Sequence, residues 1–156
     1  MKKTNAVRIL DKKKIKYELI PYEVDEQDLG AIHVAEQLNE PVEQVFKTLV
    51  LEGNKTGNFV CLIPGAEELN LKKAAKISGN KKCDLIPLKT VLPTTGYIRG
   101  GCTPIGMKKN FPTYIHDTCL SFPFIYISAG VRGMQIKIDP KDLLKVVKID
   151  VCDIIL

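Results

Sequence analysis

Three stretches of the sequence hold residue types that could do chemistry. Tyr97–Pro112, YIRGGCTPIGMKKNFP, sets Cys102 behind a glycine pair, Gly100 and Gly101, and ahead of a basic pair, Lys108 and Lys109. VFKTLVLEG, from Val45 to Gly53, carries Lys47 inside an apolar run, and YISAGVRG places Ser128 and Arg132 at a glycine turn. A thiol becomes a nucleophile beside a base or in a positive field. The two histidines, His33 and His116, are candidate bases for Cys102, but neither lies in a context that demands the role. Adjacent glycines let the backbone approach a ligand and offer N–H groups to a carbonyl oxygen. They serve a plain bulge or turn between strands equally well. The spacing matches neither a P-loop nor G-x-G-x-x-G, so a phosphate cradle is excluded on pattern.

Strand alternation sharpens the question about Lys47. Phe46, Thr48 and Val50 fall on one face, and Lys47, Leu49 and Leu51 on the other. A lysine alternating with leucines either snorkels at an edge or points into a cleft. No metal or cofactor is expected. The five cysteines, Cys61, Cys83, Cys102, Cys119 and Cys152, are widely spaced without a CxxC, and two histidines cannot complete a zinc set.

The elements that must position these residues are short. Thr4 caps a first helix with an apolar face of Val7, Ile9 and Leu10. KYELIPYEV reads as a strand, with Pro21 marking an edge or bulge. Gly30 precedes a helix striped by Ile32, Ala35 and Leu38, and Pro41 opens a turn. The run from Val45 to Gly65 reads as a hairpin turned at EGNKTGN. Asn70 caps LKKAAKISG, which Gly79 stops. KKCDLI is a short strand and PLKTVLPTTG a turn of helix. Strands are expected near YIRGG, TYIHD and FIYISAG. AGVRGMQIKID is a hairpin turned at Gly130–Gly133, Asp139 and Pro140 open a last helix, and VVKIDVCDII adds a strand. Strands in the middle with three or four short helices inserted predict a single α+β domain over residues 1–156 with a largely antiparallel or mixed sheet.

Composition agrees with a globular chain. Of 156 residues, 45% are hydrophobic and 26% charged, enough to bury a self-sufficient core. No apolar run reaches the ~20 residues a membrane span needs, and the opening ten residues hold no h-region, so neither a membrane association nor a signal peptide is expected. Unpaired, scattered cysteines suit a reduced cytoplasm. The net charge of +5 sits in lysine clusters at 12–14, 72–73, 81–82 and 108–109, a bias that suits an anionic partner such as RNA.

Taken together, and in this order, VFKTLVLEG, LNLKKAAKISG, TGYIRGGCTPIGMKK, PTYIHD, YISAGVRG and IDPKDLLKV resemble the YbaK/EbsC-type aminoacyl-tRNA deacylases, from about Asn5 to Val147. That family is related to the editing domain of prolyl-tRNA synthetase. The resemblance implies a bent mixed sheet or barrel with short helices packed around it. It also implies a trans-editing enzyme that cleaves a mischarged amino acid from the acceptor end of tRNA(Pro). The amino acid implied is cysteine. Alanine, or a non-catalytic module binding tRNA or a synthetase, is the alternative. Prolyl-tRNA synthetase is an implied partner and DNA is not.

By position in the family's motifs, Lys47, Gly101 and Ser128 are the implied catalytic residues. Lys47 would hold the terminal nucleotide, the Gly100–Gly101 backbone would approach the aminoacyl carbonyl, and Ser128 would supply a pocket hydroxyl. Tyr22, Leu29, Thr48, Gly100, Thr103, Arg132 and Gln135 are the implied substrate contacts. Three of these depart from the family's pattern: Thr103 stands for a serine, Leu29 for an aromatic and Gln135 for an acid. In the cysteine branch the substrate's own thiol attacks the ester and leaves as a cyclic thiolactone. Proximity replaces a protein nucleophile, and Cys102 becomes a neighbour of the site.

Overall fold

The computed structural model describes residues 3–156; Met1 and Lys2, at the head of the opening segment read above, lie outside it. Five α-helices, α1 (Asn5–Lys12), α2 (Ala31–Leu38), α3 (Leu71–Ser78), α4 (Leu88–Thr95) and α5 (Pro140–Val146), alternate with eight strands. These are β1 (Glu18–Pro21), β2 (Phe46–Gly53), β3 (Gly57–Pro64), β4 (Cys83–Leu85), β5 (Thr113–His116), β6 (Ile125–Ser128), β7 (Met134–Ile138) and β8 (Asp150–Cys152). The helix count exceeds the expected three or four because PLKTVLPTTG forms a full helix, α4, in spite of Pro93.

The strands make two sheets. One has the order β1-β7-β6 and is antiparallel throughout. The other, β4-β2-β3-β5-β8, is antiparallel on its first side and parallel from β3 onward. A parallel bridge from Val45 to Tyr126 joins them. The fold is therefore the bent mixed form of the expectation and not a closed barrel.

Local chemistry sets most element boundaries. The Thr4 side chain accepts from the Val7 N–H, Asn70 from Lys72 and Lys73, and Asp139 from Lys141, each satisfying amides that a helix start leaves unpaired. Gly79 and Gly96 take left-handed conformations that end α3 and α4. Two sequence expectations need correction. Tyr97–Gly101 is not a strand. After Gly96, the chain reverses again through a turn in which Gly100 has φ +83° and Gly101 N–H donates to Ile98 O at 2.9 Å. Positive φ at the third position of that turn favours glycine and breaks extended pairing. Ile32 is 54% exposed, because α2 turns Val34 and Ala35 inward instead.

Three apolar clusters hold the layers. The central one packs Ala6, Val7 and Leu10 of α1 against Phe46, Val50, Val60 and Leu62 and against Ile125, Ile127, Ile136 and Ile138. Each fully buried leucine or isoleucine there contributes about 1.5–3 kcal/mol relative to exposure. A second cluster lies beneath α3, where Ala74 and Ala75 meet Leu51, Cys61 and Ile63. A third lies beneath α2, where Val34 and Ala35 meet Val45 and Tyr126.

Candidate active site

β2 carries Lys47 on the face that sequence alternation assigns it. Phe46 and Val50 enter the central core, while Leu49 and Leu51 belong to the cluster under α3. Val45, two residues before Lys47, belongs to the cluster under α2. Lys47 therefore sits at the seam between two cores, half-buried. Burial pulls its ammonium below the ordinary lysine range, and Glu68 and Glu67 oppose that shift. Sequence reasoning missed these two glutamates. Their signal was the acidic pair just after the β3 terminus, since Lys47 pairs with Ile63 across the hairpin.

Ser128 and Gln135 face each other across β6 and β7, and Ile20 of β1 pairs with Gln135 on the far side. The Val45–Tyr126 bridge is parallel and isolated, and Lys47 and Ser128 each lie two residues past it on their own strands. A row of Ile20, Gln135 and Ser128 thus crosses the first sheet on the side of the bridge to β2. Ser128 Oγ accepts from Gly130 N–H at 3.2 Å, which leaves the hydroxyl proton free for another acceptor.

The turn after Ser128 gathers the remaining segments. Tyr22 N–H donates to Gly133 O at 3.0 Å. Arg132 Nε donates to Arg99 O at 2.9 Å, across the base of the glycine turn. A Cβ on Gly100 would stand 3.3 Å from Arg132 Nε and 3.4 Å from Leu29 Cδ1. One on Gly101 would press on the Val131 backbone at 3.1–3.2 Å. So Leu29, Gly100, Gly101, Arg132 and Tyr22 converge on the loop that follows Ser128. The glycine pair is not two equal donors, however, because the Gly101 N–H is used inside its own turn. Of the two, only the Gly100 amide lies outside that bond.

Thr48 and Thr103 are placed differently. Thr48 is on the opposite face of β2 from Lys47, towards the central core. Thr103 is wholly buried. Among the described residues, four buried side-chain oxygens lack a hydrogen-bond partner in the protein: Thr48 Oγ1, Thr103 Oγ1, Gln135 Oε1 and Thr118 Oγ1. An unsatisfied buried polar atom costs about 1–3 kcal/mol. Three of the four are residues picked out by the sequence motifs.

Cys102 has no chemistry of its own here. Its thiol packs against the central core, 4.0 Å from Thr95 Oγ1. Burial pushes its pKa up to about 11 against the pull of hydrogen bonds from Thr95 and Thr103. The imidazoles are engaged elsewhere. His116 Nδ1 accepts from Ile154 N–H at 3.3 Å, and His33 lies 3.9 Å from an Asp28 oxygen on α2's approach. A partly buried thiol with a raised pKa and no base engaged with it is a packing group.

Lys47 and Ser128, each two residues past the bridge that joins the sheets, and the bare-backbone turn tied to the loop after Ser128 make up the candidate site. The chain belongs to the aminoacyl-tRNA editing domain family, whose profile matches residues 29–146. It is 51% identical over 142 residues to a protein of Enterococcus faecalis named "Putative Cys-tRNA(Pro)/Cys-tRNA(Cys) deacylase EbsC", covering 91% of this chain and 87% of that one. A 76-residue stretch, 49% of this chain, is 33% identical to 13% of the proline–tRNA ligase of Thermosipho africanus. The fold matches the crystal structure of "a putative trans-editing enzyme for prolyl tRNA synthetase" with a TM-score of 0.84 at 23% identity, over 99% of both chains. Among the described residues no helix is long and apolar enough to cross a membrane.

Proposed function

We propose that this chain, acting as one editing domain over residues 1–156, removes cysteine from mischarged tRNA in the cytoplasm, and that tRNA(Pro) is its substrate. The observation that carries this is the bridge that brings the strand of Lys47 to the strand of Ser128, each residue two positions past it, in a chain half identical to a relative named for that reaction. Lys47 supplies a cation for the phosphate of the terminal nucleotide. Ser128 offers its hydroxyl proton, and the Gly100 turn brings backbone up to the aminoacyl group. Gly101 contributes by letting that turn seat on Val131.

The chemistry then belongs to the substrate. Its sulfur attacks the ester carbonyl carbon and a C–S bond forms. The tetrahedral oxyanion collapses, the bond to the ribose oxygen breaks, and that oxygen takes up the proton lost by the thiol. The products are tRNA with a free hydroxyl and a cyclic thiolactone. The site's work is to fold the aminoacyl group so that sulfur and carbonyl are near attack distance. Cys102 supports this division of labour, since burial pushes its thiol pKa up to about 11.

Prolyl-tRNA synthetase is the proposed partner that presents the RNA. The test is a deacylation panel of Cys-, Ala- and Ser-charged tRNA(Pro) together with Cys-tRNA(Cys). Cysteine ester loss well above the uncatalysed rate is expected, with alanine and serine spared. Preferential loss of alanine would assign a hydrolase that positions water instead. Binding of tRNA with no ester loss would assign a non-catalytic module.

A further inference from the structure

A groove elsewhere on the molecule is lined by none of the implied catalytic or substrate-contact residues. That groove, about 1030 Å³, runs between α1, the segment Pro104–Thr113 and the strip Val146–Asp150. Three separate parts of the sequence bring lysines to its walls: Lys12 and Lys13 at the C-terminal end of α1, Lys109 from the glycine-loop segment and Lys148 before β8. A single carboxylate, Asp150, lines it with them. Among the described residues none of these four lysines forms an ion pair, whereas Lys3, Lys73 and Lys145 do. Met107 and Phe111 give the floor apolar and aromatic surface.

The groove is tied rigidly to the ester site. Tyr97 OH donates to Ile105 O at 2.6 Å, and Asn5 Nδ2 donates to Gly106 O at 3.0 Å. Thr4 Oγ1 donates to Ala129 O at 2.6 Å, one residue past Ser128. The chain that leaves Gly101 becomes the groove wall from Pro104 onward. An RNA whose 3′ end is held at the glycine turn must lay the rest of its strand over the neighbouring surface. It carries one negative charge per nucleotide.

We propose that this groove is a second RNA contact, distinct from the ester pocket, in which the four lysines neutralise the sugar-phosphate backbone of the substrate tRNA. Phe111 offers a surface on which a base can stack. This assignment rests on the tRNA substrate proposed above, but its test uses no ester. Uncharged tRNA(Pro) is titrated with wild-type protein and with a Lys12→Gln/Lys109→Gln/Lys148→Gln variant, by fluorescence anisotropy across a salt series. A control of equal charge change on α3 and the β4 approach is Lys72→Gln/Lys76→Gln/Lys81→Gln.

The groove variant is expected to weaken binding at least about tenfold at low salt and to flatten the log Kd–log salt slope by about 2–3, as lost phosphate contacts require. The control is expected to shift affinity far less, and thermal unfolding confirms that both variants fold. Equal effects of groove variant and control, an unchanged slope, or no tRNA binding by wild type would each overturn the proposal. Failure of the deacylase function shows up separately, as tRNA bound through the groove with no ester loss from charged tRNA.

Discussion

At the scale of single residues, Lys47 holds its charge against its surroundings. Burial disfavours the ammonium, and Glu68 and Glu67 restore part of what burial removes. A function that needs the cation is present below the Lys47 pKa and lost as pH rises through it. Because that pKa lies below the ordinary lysine value, loss of binding to the terminal nucleotide begins at a lower pH than for an exposed lysine. A pH titration of affinity for a short CCA-ending oligonucleotide checks this. Lys47→Arg removes the alkaline loss, because a guanidinium stays charged, and Glu67→Gln/Glu68→Gln moves it to lower pH. Cys102 makes the opposite prediction. With its thiol pushed up to about 11 by burial, Cys102→Ala retains most deacylation activity, and the folded protein's Cys102 reacts slowly with iodoacetamide at neutral pH.

At the scale of elements, the glycine turn and the β2–β3 hairpin carry separable predictions. Gly101→Ala puts a methyl 3.1–3.2 Å from Val131 backbone atoms. Overpacking of this kind costs about 1–3 kcal/mol, and the turn must shift away from Ser128. Deacylation therefore falls more steeply than thermal stability, read by kinetics and melting on one preparation. Asn80 is a stability site instead. Its side chain accepts from Lys55 and Thr56 N–H and donates to Thr56 and Ser78 hydroxyls, bracing the hairpin turn. Asn80→Ala lowers unfolding free energy by about 1–3 kcal/mol in denaturant titration and leaves kcat alone.

These elements also show where sequence was informative. Caps such as Thr4, Asn70 and Asp139 act within a few residues, so helix starts were legible. The two faces of β2 follow from alternation alone. What sequence hid was long-range. The Val45–Tyr126 bridge, which brings the strand of Lys47 to the strand of Ser128, joins residues 81 positions apart. The glutamates facing Lys47, and Gly101 spending its amide on Ile98, depend equally on how the chain returns. YIRGG misled because β-rich side chains sit on a backbone that Gly96 and Gly100 turn away from pairing.

At the scale of the molecule, two sheets hinge on one bridge and three apolar clusters fill their faces, with the proposed ester site at the junction. Of the orphan oxygens, that of Gln135 lies on the strand pair that carries Ser128, whereas that of Thr48 lies on the face of β2 opposite Lys47. The proposed function asks of this fold that it position a substrate that brings its own nucleophile. The most direct measurement is the rate of ester loss from Cys-tRNA(Pro) beside the same tRNA charged with S-methylcysteine, using wild type and Lys47→Ala. Wild type is predicted to accelerate loss of cysteine only, with Lys47→Ala slower by about 10–100-fold, the worth of one charge-assisted contact. Equal cleavage of the methylated ester, or no acceleration on Cys-tRNA(Pro), would contradict catalysis by the substrate's thiol.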